Sequence, residues 1–131
     1  MTPAIFINCS KEPFIDEIMS RLKQYETRSR NTLGRFIGKE VYLAETGSGA
    51  PLVRCSAVID EVVKVTTREQ WEAMLELTWV PVGSEYDWND TTKVKWLYHF
   101  KDIKPLKPFR LTKGVRHGRV WMEVERSEQQ C

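Results

Sequence analysis

Metal-ligating and disulfide-forming residues are scarce in this chain. Its 131 residues include only three cysteines and two histidines. Cys9, Cys55 and Cys131 lie far apart, and no pair has the spacing of a metal site. The odd count also argues against a disulfide framework. Cys9 and Cys55 fall inside apolar runs and read as small core residues. With His99 and His117 as the remaining candidates, a zinc site finds little support, and we expect neither metal nor cofactor. Long apolar runs are missing too: none approaches the roughly 18 residues that cross a membrane. The N-terminal stretch lacks the basic start of a signal peptide, which leads us to expect a cytoplasmic protein without membrane contact. No glycine-rich turn feeds a helix, so dinucleotide and P-loop folds find no support. Repeats and low-complexity segments are absent.

What is present suits one domain over residues 1–131. A chain of this length buries roughly two-thirds of its unfolded surface, enough for a core without staples. The net charge is only +2, but the charges are segregated. Residues 21–40 hold six basic residues against two acidic ones. Residues 91–119 hold nine basic residues against Asp102 alone. Residues 60–90 reverse the balance, with eight acidic residues and two basic ones. Such segregation can build a positive face on a nearly neutral protein, the footprint of an anionic partner.

The patterning predicts many short strands and two helices. Residues 4–9 read as a first strand. Ser10 can cap a helix over 11–24, with Pro13 in its first turn and Phe14, Ile15, Ile18, Met19 and Leu22 at helical spacing. From Tyr25 the sequence alternates, placing Glu26, Arg28 and Arg30 on one side of a strand. Residues 40–46 and 52–65 are further strands, separated by a loop from Gly47 to Pro51. A capping box, Thr67 with Gln70 or Thr66 with Glu69, opens a helix over 67–77. Residues 80–92 form a loop, 94–103 a strand ended by Pro105 and Pro108, and 119–125 a final strand. Strands that outnumber helices in this way favour a small barrel or sheet with helices at its edge.

The chemistry concentrates in the stretch from Arg21 to Arg30. Lys23 is expected in the last helical turn, with Glu26, Arg28 and Arg30 projecting from the strand that follows. Charged groups converging where an element changes type can bind a phosphate or a base edge. In a desolvated cleft the crowding arginines would also lower the pKa of Lys23, whereas Glu26 would raise it. The plain alternative is a surface ladder of Glu, Arg and Lys.

This stretch resembles the ASCH family of the PUA-like superfamily, whose signature reads Gly-x-Lys-x-x-Glu-x-Arg between the first helix and the next strand. Lys23, Glu26 and Arg28 match it, and Arg21 stands in place of the glycine. The strand at 41–46 and the late segment from Trp96 to Phe109 also look like the family, so the resemblance runs from about residue 12 to residue 124. It implies a mixed β/α fold, a small PUA-like β-barrel of about five to six strands with two helices. It further implies a polar cleft for RNA, another nucleic acid or a modified nucleoside. Lys23, Glu26, Arg28 and Arg30 would line that cleft. Trp88, Trp96, Tyr98 and Trp121 lie among or beside the basic segments, and of these Tyr98, which shares the cationic segment and carries a hydroxyl, is the expected stacking aromatic. Some small ASCH proteins are amidohydrolases acting on N4-acetylcytidine. In that alternative Lys23 is catalytic and Glu26 its partner, although the relatives carry a threonine where Glu26 stands. A further glutamate near the second helix would then be Glu69, Glu72 or Glu76. A third alternative is a protein-interaction module whose acidic residues 60–90 meet a basic partner.

Overall fold

A computed structural model describes residues 1–116 and 118–125; His117 and Cys131 lie outside the described residues. The elements run β1 (Thr2–Asn8), α1 (Phe14–Met19), β2 (Tyr25–Arg28), a 3-10 turn (Gly34–Phe36), β3 (Glu40–Thr46), β4 (Leu52–Val65), α2 (Arg68–Ala73), α3 (Leu75–Thr78), β5 (Lys95–Arg110) and β6 (Trp121–Val124). The six strands form one mixed sheet in the order β2-β5-β4-β3-β1-β6. Only β1 and β3 run parallel; the other neighbours are antiparallel.

β1 is apolar on successive residues because both its faces are covered. Ile5 and Ile7 join the main core with Phe14, Ile15 and Ile18 of α1, while Ala4 and Phe6 join a second cluster with Phe109 and Met122. A strand buried on both sides reads as a continuous apolar run, which is why the alternation fails there. A third cluster gathers Trp71, Trp88 and Leu97 under α2 and α3.

The backbone ladder does not close. Among the described residues the edge strands β2 and β6 are not paired, so the expected barrel is replaced by an open, curled sheet. Curling follows from register shifts in β4 and β5, between Val53 and Cys55, Ser56 and Val58, and Ile59 and Glu61. At one shift Asp102 takes a positive φ of 50°. The gap is bridged by a side chain instead: Arg28 Nη2 of β2 donates to the Phe6 carbonyl of β1 at 2.7 Å.

Three expectations are corrected. Pro105 and Pro108 do not end a strand; β5 runs through both to Arg110. β2 pairs with β5 only as far as His99, so the later part of β5 is an edge. Pro108 also falls within a register shift, and edges and bulges tolerate a missing N–H. The expected second helix is two short ones, α2 and α3, parted at Met74. Its cap is as expected, with Thr67 Oγ1 accepting from Gln70 N at 3.1 Å, while Gln70 Oε1 accepts from Thr66 N at 2.9 Å. Ser10 does not cap α1, whose N-cap is Pro13; the Ser10 N–H donates to Asn8 Oδ1 at 2.8 Å.

α1 is also shorter than its apolar pattern, and the reason bears on function. The Arg21 N–H donates to the Ile18 carbonyl and the Leu22 N–H to the Glu17 carbonyl. This bond pair with a left-handed residue, Arg21 at φ 70°, is a Schellman stop. It ends α1 before Lys23 and turns the chain inward. On the other side of the helix, Arg54 of β4 clamps Asp16 at 2.8 Å and Glu45 at 2.9 Å, fixing α1 against the sheet.

Candidate functional site

Lys23 follows the Schellman turn and is 1% exposed. Its Nζ donates to the Thr78 carbonyl at the end of α3 at 2.7 Å and lies 4.6 Å from the Phe14 ring centre. Glu26, on β2, is 6% exposed. Its Oε1 stands 4.0 Å from Lys23 Nζ and accepts from the Thr27 N–H at 3.2 Å. Its Oε2 accepts from Arg28 Nη2 at 2.9 Å. The carboxylate is thus held between an ammonium and a guanidinium. Burial pushes the Lys23 pKa down, and Glu26 and Glu17 oppose that shift.

This cluster forms one wall of a cleft of about 510 Å³ between the ends of β1 and β2. Glu26, Thr27, Arg28 and Ser29 line it from β2, and Phe6, Ile7 and Asn8 from β1. Phe14, Thr46, Glu85, Tyr86 and Lys95 also line it, and Gly118, Arg119 and Val120 complete the lining. Lys23 does not line this cleft; it sits behind Glu26. Lys95 Nζ donates to the Tyr86 carbonyl at 2.9 Å and lies 5.3 Å from the Trp71 ring centre, and burial lowers its pKa. Lys11 pairs with Glu85 at 3.1 Å on the exposed margin.

The fold brings together Lys23, Glu26 and Arg28 but not the rest of the expected set. Arg30 lies past the end of β2, exposed, and lines no part of the cleft. Tyr98 is corrected more sharply. Its ring is wholly buried, and its hydroxyl donates to Asn31 Oδ1 at 2.7 Å and accepts from the Leu33 N–H at 3.3 Å. It offers no face to a base, because its ring is packed in the main core with Leu33 and Phe100. The partly exposed aromatic in the cleft is Tyr86, packed edge-on against Phe14 at 5.2 Å. Its signal in the sequence was an aromatic within the polar 80–92 loop, beside Glu85. Glu69, Glu72 and Glu76 are exposed and line no part of the cleft. The acid buried near Lys23 is Glu17 of α1, which is not among the apolar positions of the helical pattern.

The acidic segment 60–90 is largely engaged within the chain. Asp60 meets His99 at 2.7 Å, Glu61 accepts from the Tyr25 hydroxyl at 2.8 Å, and Asp87 accepts from Trp71 Nε1 at 2.7 Å.

No family model and no curated protein matches the sequence. Solved structures do. The ASCH protein of Zymomonas mobilis superposes with a TM-score of 0.76 at 15% identity, covering 96% of this chain and 89% of that one. A tyrosine-to-phenylalanine variant of it gives a TM-score of 0.75 at 15% identity over 98% and 99%. The chain has the ASCH fold. The signature stretch therefore takes its place in an ASCH frame, and the substituted glycine explains itself. Its position is the left-handed residue of the Schellman stop, which favours glycine. Arg21 keeps that backbone at φ 70° and donates from Nη2 to the Ile103 carbonyl at 3.4 Å.

Proposed function

We propose that this ASCH-fold chain is a nucleic-acid-binding module that takes one base, RNA or modified nucleoside, into the cleft beside Glu26. The observation that supports the reading is the carboxylate itself: buried, held between Lys23 and Arg28, and still lining the cleft. A fixed acceptor of this kind suits the amino and imino N–H groups of a base edge. Tyr86 supplies a partly exposed ring for stacking. The volume of about 510 Å³ falls in the range of small-molecule sites. The test is NMR titration of isotope-labelled protein with nucleosides, plain and base-modified. Shifts concentrated at Ile7, Asn8, Thr27, Ser29 and Tyr86, and abolished in Glu26→Gln, are expected. Shifts spread over the far end of β5, or none at millimolar nucleoside, overturn the reading.

The amidohydrolase alternative draws on one observation, the lowered pKa of Lys23. Its geometry is unfavourable: the ammonium is behind Glu26 and already donates to Thr78, so proton transfer to a substrate would pass through the carboxylate. Incubation with N4-acetylcytidine, followed by chromatography, decides between the two. Turnover lost in Lys23→Met supports the enzyme; no turnover with base binding intact removes it.

A further inference from the structure

The cleft continues beyond its own rim. Phe6, Asn8, Thr46, Gly118 and Arg119 line both it and a second cavity of about 470 Å³. This trough runs between the turn at Gly47–Pro51 and the segment bearing Val115 and Arg116.

The two cavities differ in charge. The cleft is lined by two carboxylates, Glu26 and Glu85, each paired with a cation, and by Arg28, Lys95 and Arg119. The lining of the trough contains no acidic residue. Its cations, Arg116 and Arg119, are exposed, and neither has an ion-pair partner among the described residues. Nearby, Arg110 braces the turn by donating to the Ala50 carbonyl at 2.6 Å. Gly47, Gly49 and Gly118 carry no side chain, so the backbone itself forms part of the wall.

Inside the cleft Arg28 is engaged by Glu26 and the Phe6 carbonyl and Lys95 by the Tyr86 carbonyl, leaving the Glu26 carboxylate as an acceptor, whereas the arginines of the trough have no carboxylate beside them and attract an anion. A ligand that fills both is therefore neutral and donor-bearing at one end and anionic next to it. A base followed by a phosphodiester has that order. We infer that the ligand is a single-stranded polynucleotide, with one base in the cleft and the adjoining phosphate against Arg116 and Arg119. The inference rests on the base-binding reading of the cleft. A duplex does not fit, because its bases are stacked and paired.

The test uses fluorescence anisotropy with labelled 12-nucleotide single strands of each of the four bases. Free nucleosides serve as competitors, and the series is run at several salt concentrations. At least one RNA is expected to bind tenfold or more tightly than its nucleoside. Arg116→Glu, in a residue lining only the trough, should weaken RNA at least tenfold and leave nucleoside binding unchanged. It should also reduce the salt slope by about 0.7, the value for one phosphate contact on a single strand. Lys39→Glu makes the same charge change at an exposed site lining neither cavity and should alter affinity less than twofold. Nucleosides binding as tightly as RNA, or Arg116→Glu behaving as Lys39→Glu does, overturn the inference and leave the cleft reading standing. Duplex RNA binding as tightly as single strands also overturns it. Failure of both nucleosides and RNA to bind removes both readings. Equal binding of single-stranded DNA supports the inference with the sugar unread.

Discussion

Lys23 Nζ and Glu26 Oε1 stand 4.0 Å apart in the interior, yet only Glu26 reaches the cleft. The lysine therefore acts on the site through the carboxylate. Removing Glu26 leaves the Lys23 ammonium short of a counter-ion in a dry environment. Stripping one partner from a buried pair typically costs about 3–5 kcal/mol. Glu26→Ala is expected to lose stability on that scale in urea unfolding. Lys23→Met, which fills the space and leaves Glu26 its bond to Arg28, should cost less than Glu26→Ala. The reverse order would show that the ammonium, not the carboxylate, anchors this region.

Glu17 sets a pH dependence. Burial first, then the hydrogen bond and charge of Glu12, push its carboxyl from 4.5 up to about 7; Lys23 pulls it down and Asp16 adds to the rise. The folded pKa lies above the unfolded one, so the native state holds the extra proton between those values. Stability then falls as pH rises through that window and levels off above it. Relative to Glu17→Gln, the wild type should lose on the order of 2 kcal/mol between pH 4.5 and pH 7.5. Parallel profiles for the two proteins would refute this.

Arg21 occupies a glycine conformation. A left-handed backbone costs an L-residue about 1–2 kcal/mol, and glycine's greater unfolded-state freedom returns about 0.5–1 kcal/mol of that. Arg21→Gly should thus raise stability by about 0.5–1 kcal/mol by thermal unfolding. A destabilised variant would mean that the bond from Arg21 to Ile103 outweighs the backbone strain.

Tyr86 and Tyr98 separate binding from folding. Tyr86→Ala should weaken nucleoside binding by about 1–3 kcal/mol, the scale of one base stacked on an aromatic ring. Tyr98→Phe leaves the Leu33 N–H without its acceptor and should cost about 1–3 kcal/mol of stability while leaving affinity unchanged. A loss of affinity in Tyr98→Phe at constant fold would restore Tyr98 to the site.

Much of this was legible in the chain itself. β3 and β4 have the boundaries their sequence predicts, because each is flanked by turn residues and β4 is rich in Val and Ile. Lys23, Glu26 and Arg28 could be picked out as a cluster because local geometry joins them: a helix stop, then a strand with period two. Tertiary structure alone decided the rest. No local pattern marks Glu17 as buried, since its burial comes from packing around Lys23 and Glu12. The depth of Tyr98 follows from a core assembled from distant segments, with Ile5, Phe14 and Leu33 in the same cluster. Arg116 and Arg119 join Phe6 and Thr46 around one trough only after the sheet has curled. Composition records that a chain carries charge, but which charges face each other depends on contacts between residues far apart in sequence.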